Sequence, residues 1–395
     1  MKSILFVIHR LDAGGAEKSL ISLLNSLPTK KYDIDVIAID RNGIFSEQIP
    51  KDIHLLAPNS KLKIMASSAK KCNIKEYTLK ELCLKLIFLL KAKFLRNSKK
   101  YSLSQYIWKH WSPFIPENDK YYDVAISYMN GFCNYYVIDK IKAHKKVLYM
   151  HNDYNKIDSI ASFDLPYFKK ANILITISDI CANSLKENFP SIANKILVIE
   201  NISSVQIITK MRKMYENNDY FKDTKFKILS IGRLTEQKGF DIAIETALIL
   251  KRNNLNFTWY IIGEGELHNT LEKLIKKHNL NNNFKLLGVK SNPYCYMDKA
   301  DIFVMTSRYE GKSIALDEAK IIGLPIVITN FPSVYDSIKH LKNGIITNMN
   351  PENIANAIIS LYNSTDLRHQ LTLNLQKEII SNENTVINQY LSILS

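Results

Sequence analysis

Glu310 and Glu318 flank a turn that leads into a helical pattern, Ser307-Arg308-Tyr309-Glu310-Gly311-Lys312-Ser313-Ile314-Ala315-Leu316-Asp317-Glu318-Ala319, followed by Gly323-Leu324-Pro325. The apolar run Ile302–Met305 reads as a strand that delivers the chain to this turn. In an open parallel sheet, ligands bind outside the carboxyl ends of the strands. The start of the next helix, near Ser313, offers free N–H groups and a positive dipole end, which suit a phosphate. Glu310 would lie in the turn and Glu318 about a turn and a half inside the helix. Two carboxylates could then accept hydrogen bonds from one hydroxyl-bearing ligand, as sugars are. Taken alone, Glu318 reads as an ordinary surface glutamate.

A second strand, Ile228–Ile231, runs into Gly232-Arg233-Leu234-Thr235-Glu236-Gln237-Lys238-Gly239. Arg233 and Lys238 stand in one loop, where two cations can neutralise a pyrophosphate, Arg through paired bonds and Lys as a point charge. Near the N-terminus, Gly14-Gly15 precedes a helical pattern of leucines but has neither the GxGxxG nor the GxxxxGK[ST] spacing. Nicotinamide and P-loop chemistry are therefore unsupported. His151 follows the strand pattern Lys146–Tyr149; a lone histidine is most often a structural hydrogen-bonder. Asp33-Ile34-Asp35 has the spacing of a metal-binding acid pair. It precedes an apolar run, so Asp33 is expected in a turn and Asp35 on the exposed face of a strand, and no metal site is expected.

The elements that must position these residues alternate between strand and helix. Residues 3–8, Val36–Ile39, Val124–Ser127, Lys146–Tyr149, Ile173–Ile177 and Ile196–Ile199 read as strands in the first half. After the polar stretch 214–224 the pattern restarts: strands at Ile228–Ile231, Thr258–Ile262, Phe284–Leu287, Ile302–Met305 and Ile326–Thr329, with helices at Phe240–Asn253, Leu267–His278 and Ser313–Ile322. The alternation predicts an α/β fold of two doubly wound halves. The expected domains are 1–202, 203–375 and a C-terminal helix, 376–395, that crosses back to the first half.

The 395 residues, 46% of them hydrophobic, suffice for two packed cores. Five scattered cysteines without a CxxC pair argue against a disulfide framework or a cysteine zinc site and fit a reducing, cytoplasmic setting. The opening apolar run is too short for a signal peptide, and no stretch approaches the roughly 20 apolar residues of a membrane span. Of the net charge of +15, residues 61–100 carry 12 basic and two acidic residues, a local +10. Leu79, Leu82, Leu86 and Leu89 or Leu90 recur at helical spacing among lysines, a cationic amphipathic pattern that suits an anionic membrane surface. The competing reading is a solvated helix packed on the first domain. Nothing of a nucleic-acid-binding motif accompanies the charge.

Together, and in this order, Gly14-Gly15-Ala16-Glu17, His151-Asn152, Ile175-Thr176-Ile177-Ser178, Val198-Ile199-Glu200-Asn201, Gly232-Arg233-Leu234 with Lys238-Gly239, Ile262-Gly263-Glu264-Gly265 and the Glu310/Glu318 pair resemble glycosyltransferase family 4. That family, also called glycosyl transferases group 1, comprises retaining GT-B enzymes, many of them building bacterial capsule, lipopolysaccharide or teichoic acid. The resemblance implies two facing Rossmann-like domains with the site in the cleft. It implies that Arg233 and Lys238 hold the diphosphate of a nucleotide sugar, that Glu318 binds its ribose and that Glu310 orients the sugar. Backbone N–H groups across Gly311, Lys312, Ser313 and Ile314 would bind phosphate or sugar, and the loop with Val289 and Tyr294 would border the base. Gly14, Gly15, His151 and Asn152 would face the acceptor and the transferred sugar.

Two departures stand out. Ile202-Ser203-Ser204 replaces the usual Gly and acidic residue after Asn201, and Lys312-Ser313 replaces the usual aromatic or aliphatic residue and Pro or Gly. The expected activity is metal-independent, cofactor-free, retaining transfer of a sugar, most simply from a UDP sugar, to a saccharide or lipid-linked saccharide. The competing class is a catalytically silent sugar-nucleotide-binding partner subunit on the same fold.

Overall fold

The computed structural model describes residues 1–11, 14–40, 43, 45–66, 101–213, 225–310, 312–378 and 382–395. Most of the basic segment 61–100, the polar stretch 214–224 and Gly311 therefore lie outside the described residues. The chain forms two compact units, Met1–Ile202 with Asn384–Ser395, and Ser203–Glu383.

In the first unit the strands are β1 (Lys2–Arg10), β2 (Tyr32–Asp40), β3 (His54–Leu56), β4 (Tyr121–Ser127), β5 (Lys142–Met150), β6 (Ile173–Thr176) and β7 (Ile196–Val198). They form a parallel sheet in the order β3-β2-β1-β4-β5-β6-β7. The second unit has β8 (Phe226–Ile231), β9 (Phe257–Ile262), β10 (Phe284–Leu286), β11 (Ile302–Met305), β12 (Ile326–Thr329) and β13 (Ile345–Thr347), in the order β10-β9-β8-β11-β12-β13. All of its pairings are also parallel.

Strands covered by helices on both faces must be apolar on both sides, which is why they read as continuous hydrophobic runs. Ile4 to Ile8 are fully buried, and all six residues of β9 are buried. Each sheet separates two hydrophobic clusters, one per face. The helix Thr365–Lys377 buries Leu371 and Leu375 in the second unit, whereas Glu383–Leu394 places Val386, Tyr390, Ile393 and Leu394 in the core of the first. The return to the first unit thus falls at Asn384 rather than at residue 376. Among the described residues, no helix is long and apolar enough to cross a membrane.

Candidate active site

In each sheet the strand order reverses direction at one point, between β1 and β4 and between β8 and β11. A crevice opens at such a point because the loops on either side leave toward opposite faces. The loop after β8 carries Arg233 and Lys238, and the loop after β11 carries Glu310.

The structure joins Lys238 and Glu310 in an ion pair, Nζ to Oε1 at 2.6 Å, with 15% and 8% of the side chains exposed. Ser307 Oγ donates to the same oxygen at 2.7 Å, Gln237 Nε2 reaches Oε2 at 3.5 Å, and Ser333 Oγ donates to the Glu310 carbonyl at 2.8 Å. The Lys238 stem lies against Gly232, where a β-carbon would come within 3.1 Å of its methylenes. Arg233 is exposed, and its guanidinium makes no side-chain hydrogen bond or ion pair among the described residues.

Glu318 is 2% exposed and accepts a hydrogen bond from Tyr294 Oη at 2.7 Å. Burial, reinforced by the Glu318 charge, pushes the Tyr294 phenol well up, so it stays a donor. Tyr294 therefore holds Glu318 directly, a contact its expected place beside the base did not anticipate. Ser313 caps the helix Ile314–Ile322, its Oγ accepting from the Leu316 N–H at 3.4 Å. Ile314 is buried, Lys312 half-buried and Val289 exposed.

In the first unit, Gly14 is the N-cap and Gly15 the first residue of the helix Gly15–Ser26. A β-carbon at Gly14 would collide with the Glu17 carboxylate, so glycine lets that buried side chain fold back over the turn. His151 follows β5 and stacks on Tyr149, ring centroids 4.6 Å apart and 13° from parallel, while Asn152 beside it is exposed. The Tyr149 hydroxyl receives that of Tyr390 at 2.8 Å, and Tyr128 Oη lies 2.9 Å from Ser19 Oγ. His151 Nε2 lies 3.0 Å from the Tyr128 carbonyl. A carbonyl only accepts, so Nε2 carries the hydrogen and Nδ1 presents a lone pair. Nδ1 is buried and has no partner among the described residues. Burial pushes the His151 pKa down to about 4, against the Tyr128 hydrogen bond, so the ring is neutral at physiological pH. In this form Nδ1 can accept a hydrogen bond but not donate one.

Stability should follow. The unfolded histidine, with a pKa of about 6.5, binds a proton that the folded one refuses, so stability present above pH 6.5 is lost as pH falls toward 4, on the order of 3 kcal/mol in all. Melting curves of wild type and His151→Gln across this range should show a shallower pH slope in the variant; parallel slopes would contradict the burial.

Asp33 and Asp35 depart from expectation. Both lie within β2, and Asp35 is 2% exposed, not on an open face. Its Oδ2 accepts from Tyr122 Oη at 2.7 Å and Lys120 Nζ at 2.9 Å, and Lys120 also meets Asp33 at 3.0 Å. With His54 these carboxylates form a cluster of three groups that could hold a cation. The Lys120 ammonium already supplies positive charge to both acids. The cluster sits toward the amino end of β2, the end of the sheet away from His151.

Sequence reasoning assigned no role to Ser307 or Gln237 and did not single out Asp241. Ser307 and Gln237 were marked only by position within the two loops, and Asp241 only as an acid in the first turn of the helix Phe240–Arg252.

Residues 211–378 match the family model described as "Glycosyl transferases group 1". The chain is 33% identical over 169 residues to an uncharacterized glycosyltransferase of Methanocaldococcus jannaschii, a match covering 42% of this chain and 41% of that protein. A longer match, 28% identical over 334 residues and covering 84% of this chain and 82% of the relative, is to N-acetylgalactosamine-N,N'-diacetylbacillosaminyl-diphospho-undecaprenol 4-alpha-N-acetylgalactosaminyltransferase of Campylobacter jejuni. The fold superposes on the crystal structure of Anabaena Alr3699/HepE in complex with UDP-glucose with a TM-score of 0.68 at 17% identity, covering 100% of this chain and 99% of the other. That likeness identifies the architecture of the two units as GT-B.

Proposed function

We propose, from the match of residues 211–378 to the group 1 glycosyl transferases, that the chain moves a sugar from a UDP sugar to a saccharide or lipid-linked saccharide acceptor in bacterial surface-polysaccharide synthesis, with retention at the anomeric carbon. The observation that carries this reading is the Lys238–Glu310 pair at the point where the second sheet reverses its strand order. The UDP-glucose bound by the Anabaena protein and the lipid-linked saccharide in the Campylobacter enzyme's name support the choice of donor and acceptor.

In this reading the donor diphosphate takes the Lys238 ammonium and the Arg233 guanidinium, beside the amino end of the helix Ile314–Ile322. Glu310, released from Lys238, accepts hydrogen bonds from the sugar hydroxyls. Glu318, held by Tyr294, receives the ribose hydroxyls. The bond from the anomeric carbon to the diphosphate breaks while the acceptor oxygen bonds that carbon from the same face. The acceptor proton passes to the leaving phosphate oxygen. Preorganised cations stabilise the charge that develops there, usually the largest catalytic effect.

The test is release of UDP or GDP from a nucleotide-sugar panel, with and without saccharide acceptors. Slow UDP release from at least one UDP sugar is expected, while binding without turnover throughout would leave only a silent binder. Because two cations serve the diphosphate, activity should also persist in excess EDTA. Loss there, restored by Mn²⁺ or Mg²⁺, would overturn metal independence and direct attention to Asp33, Asp35 and His54.

A further inference from the structure

The loops that carry Lys238 and Glu310 are fastened to each other by a second set of contacts. Arg308, two residues before Glu310, donates through its backbone N–H to the Gln237 carbonyl at 2.8 Å. Its guanidinium donates from Nη1 to the Glu236 carbonyl at 2.6 Å and to Asp241 Oδ1 at 3.0 Å, and from Nη2 to Asp241 Oδ2 at 2.6 Å. Asp241, three residues after Lys238, lies in the first turn of the helix Phe240–Arg252. In return, Gln237 Nε2 donates to the Tyr309 carbonyl at 3.0 Å, and Thr306 Oγ1 to the Lys238 carbonyl at 3.0 Å.

The side chains of Arg308 and Asp241 are 29% and 43% exposed. A pair this open adds little to stability, typically less than about 1 kcal/mol, so its contribution lies in geometry. A guanidinium can serve two carboxylate oxygens and a carbonyl in one plane, which an ammonium cannot. Desolvation works to raise the Asp241 pKa, but the Arg308 hydrogen bonds and charge outweigh it and hold the carboxyl below its ordinary value, so the pair is charged at neutral pH.

We propose that Arg308 and Asp241 are positioning residues that set the placement of Lys238 and Glu310 by clasping together the two loops that carry them. This rests on the donor-site reading above. A clasp of this kind touches no substrate and acts only through the groups it aligns.

The experiment measures UDP release from the UDP sugar that the panel identifies, for Asp241→Asn and Arg308→Lys, each in the wild-type and Glu310→Ala backgrounds. In the wild-type background each substitution should lower turnover about tenfold, a fraction of the 10²-fold that a misplacement of about 1 Å can cost. Melting temperatures should stay within about 4 °C of the parent, as expected for a half-exposed pair. In the Glu310→Ala background the loss should shrink to about threefold or less, because one of the two aligned groups is already gone. Turnover within about twofold of wild type for both variants would overturn the clasp, as would equal losses in the two backgrounds. If Glu310→Ala itself left turnover unchanged, the donor-site reading would fail, and the positioning role with it. Running both variants keeps the test decisive should one fail to fold.

Discussion

Lys238→Ala is expected to lower turnover about 10²-fold or more, the scale for removing one group that stabilises developing charge. The structure adds a second consequence. Lys238 is the only cation paired with the Glu310 carboxylate among the described residues, and that side chain is 8% exposed. Removing one partner of a buried ion pair strands the other charge, a loss that reaches about 3–5 kcal/mol in well-buried cases. Lys238→Ala should therefore lower the melting temperature as well as the rate. Arg233→Ala provides the contrast: its exposed guanidinium supports no other side chain among the described residues, so turnover should fall on the same scale while the melting curve stays put. UDP release and calorimetry on both variants separate the two effects. Wild-type turnover in both would remove the diphosphate assignment.

Gly239→Ala should do comparable damage by a different route. Gly239 adopts φ 62°, in the left-handed region, and a β-carbon there would run into the Thr306 carbonyl oxygen. The left-handed conformation costs a non-glycine residue roughly 1–2 kcal/mol, and the overpacking about 1–3 more. Thr306 belongs to the segment leading to Glu310, so relief of the clash must move one donor loop against the other. The melting temperature of the second unit should drop by about 5–15 °C at roughly 2–4 °C per kcal/mol. Turnover should fall about 10²-fold from misplacement alone, even well below the melting temperature. A variant that melts and turns over like wild type would show that the loop relaxes elsewhere and that the close approach at Gly239 is dispensable.

The central strands β1, β8, β9, β11 and β12 were legible as apolar runs because burial on both faces leaves no room for polar alternation. Of the four three-residue edge strands, β7 and β10 were legible within the longer runs Ile196–Ile199 and Phe284–Leu287, whereas β3 and β13 were not read. At the site, the sequence by itself determined which residue types stand at the carboxyl ends of which strands: Arg233 and Lys238 after one, Glu310 after another, His151 after a third. Only the tertiary structure decided their partners. Lys238 meets Glu310 across 72 residues and Arg308 meets Asp241 across 67, because β8 and β11 are neighbours in the sheet though not in the chain. Asp35 shows the same limit in reverse. Its spacing suggested an exposed strand face, but Tyr122 and Lys120, brought alongside across 87 and 85 residues, make it a buried and satisfied acceptor. The orientation of the His151 ring likewise rests on the Tyr128 carbonyl at the end of β4. Local pattern fixes periodicity and the residues at each turn; hydrogen-bond and charge partners depend on strand order, which no local pattern contains.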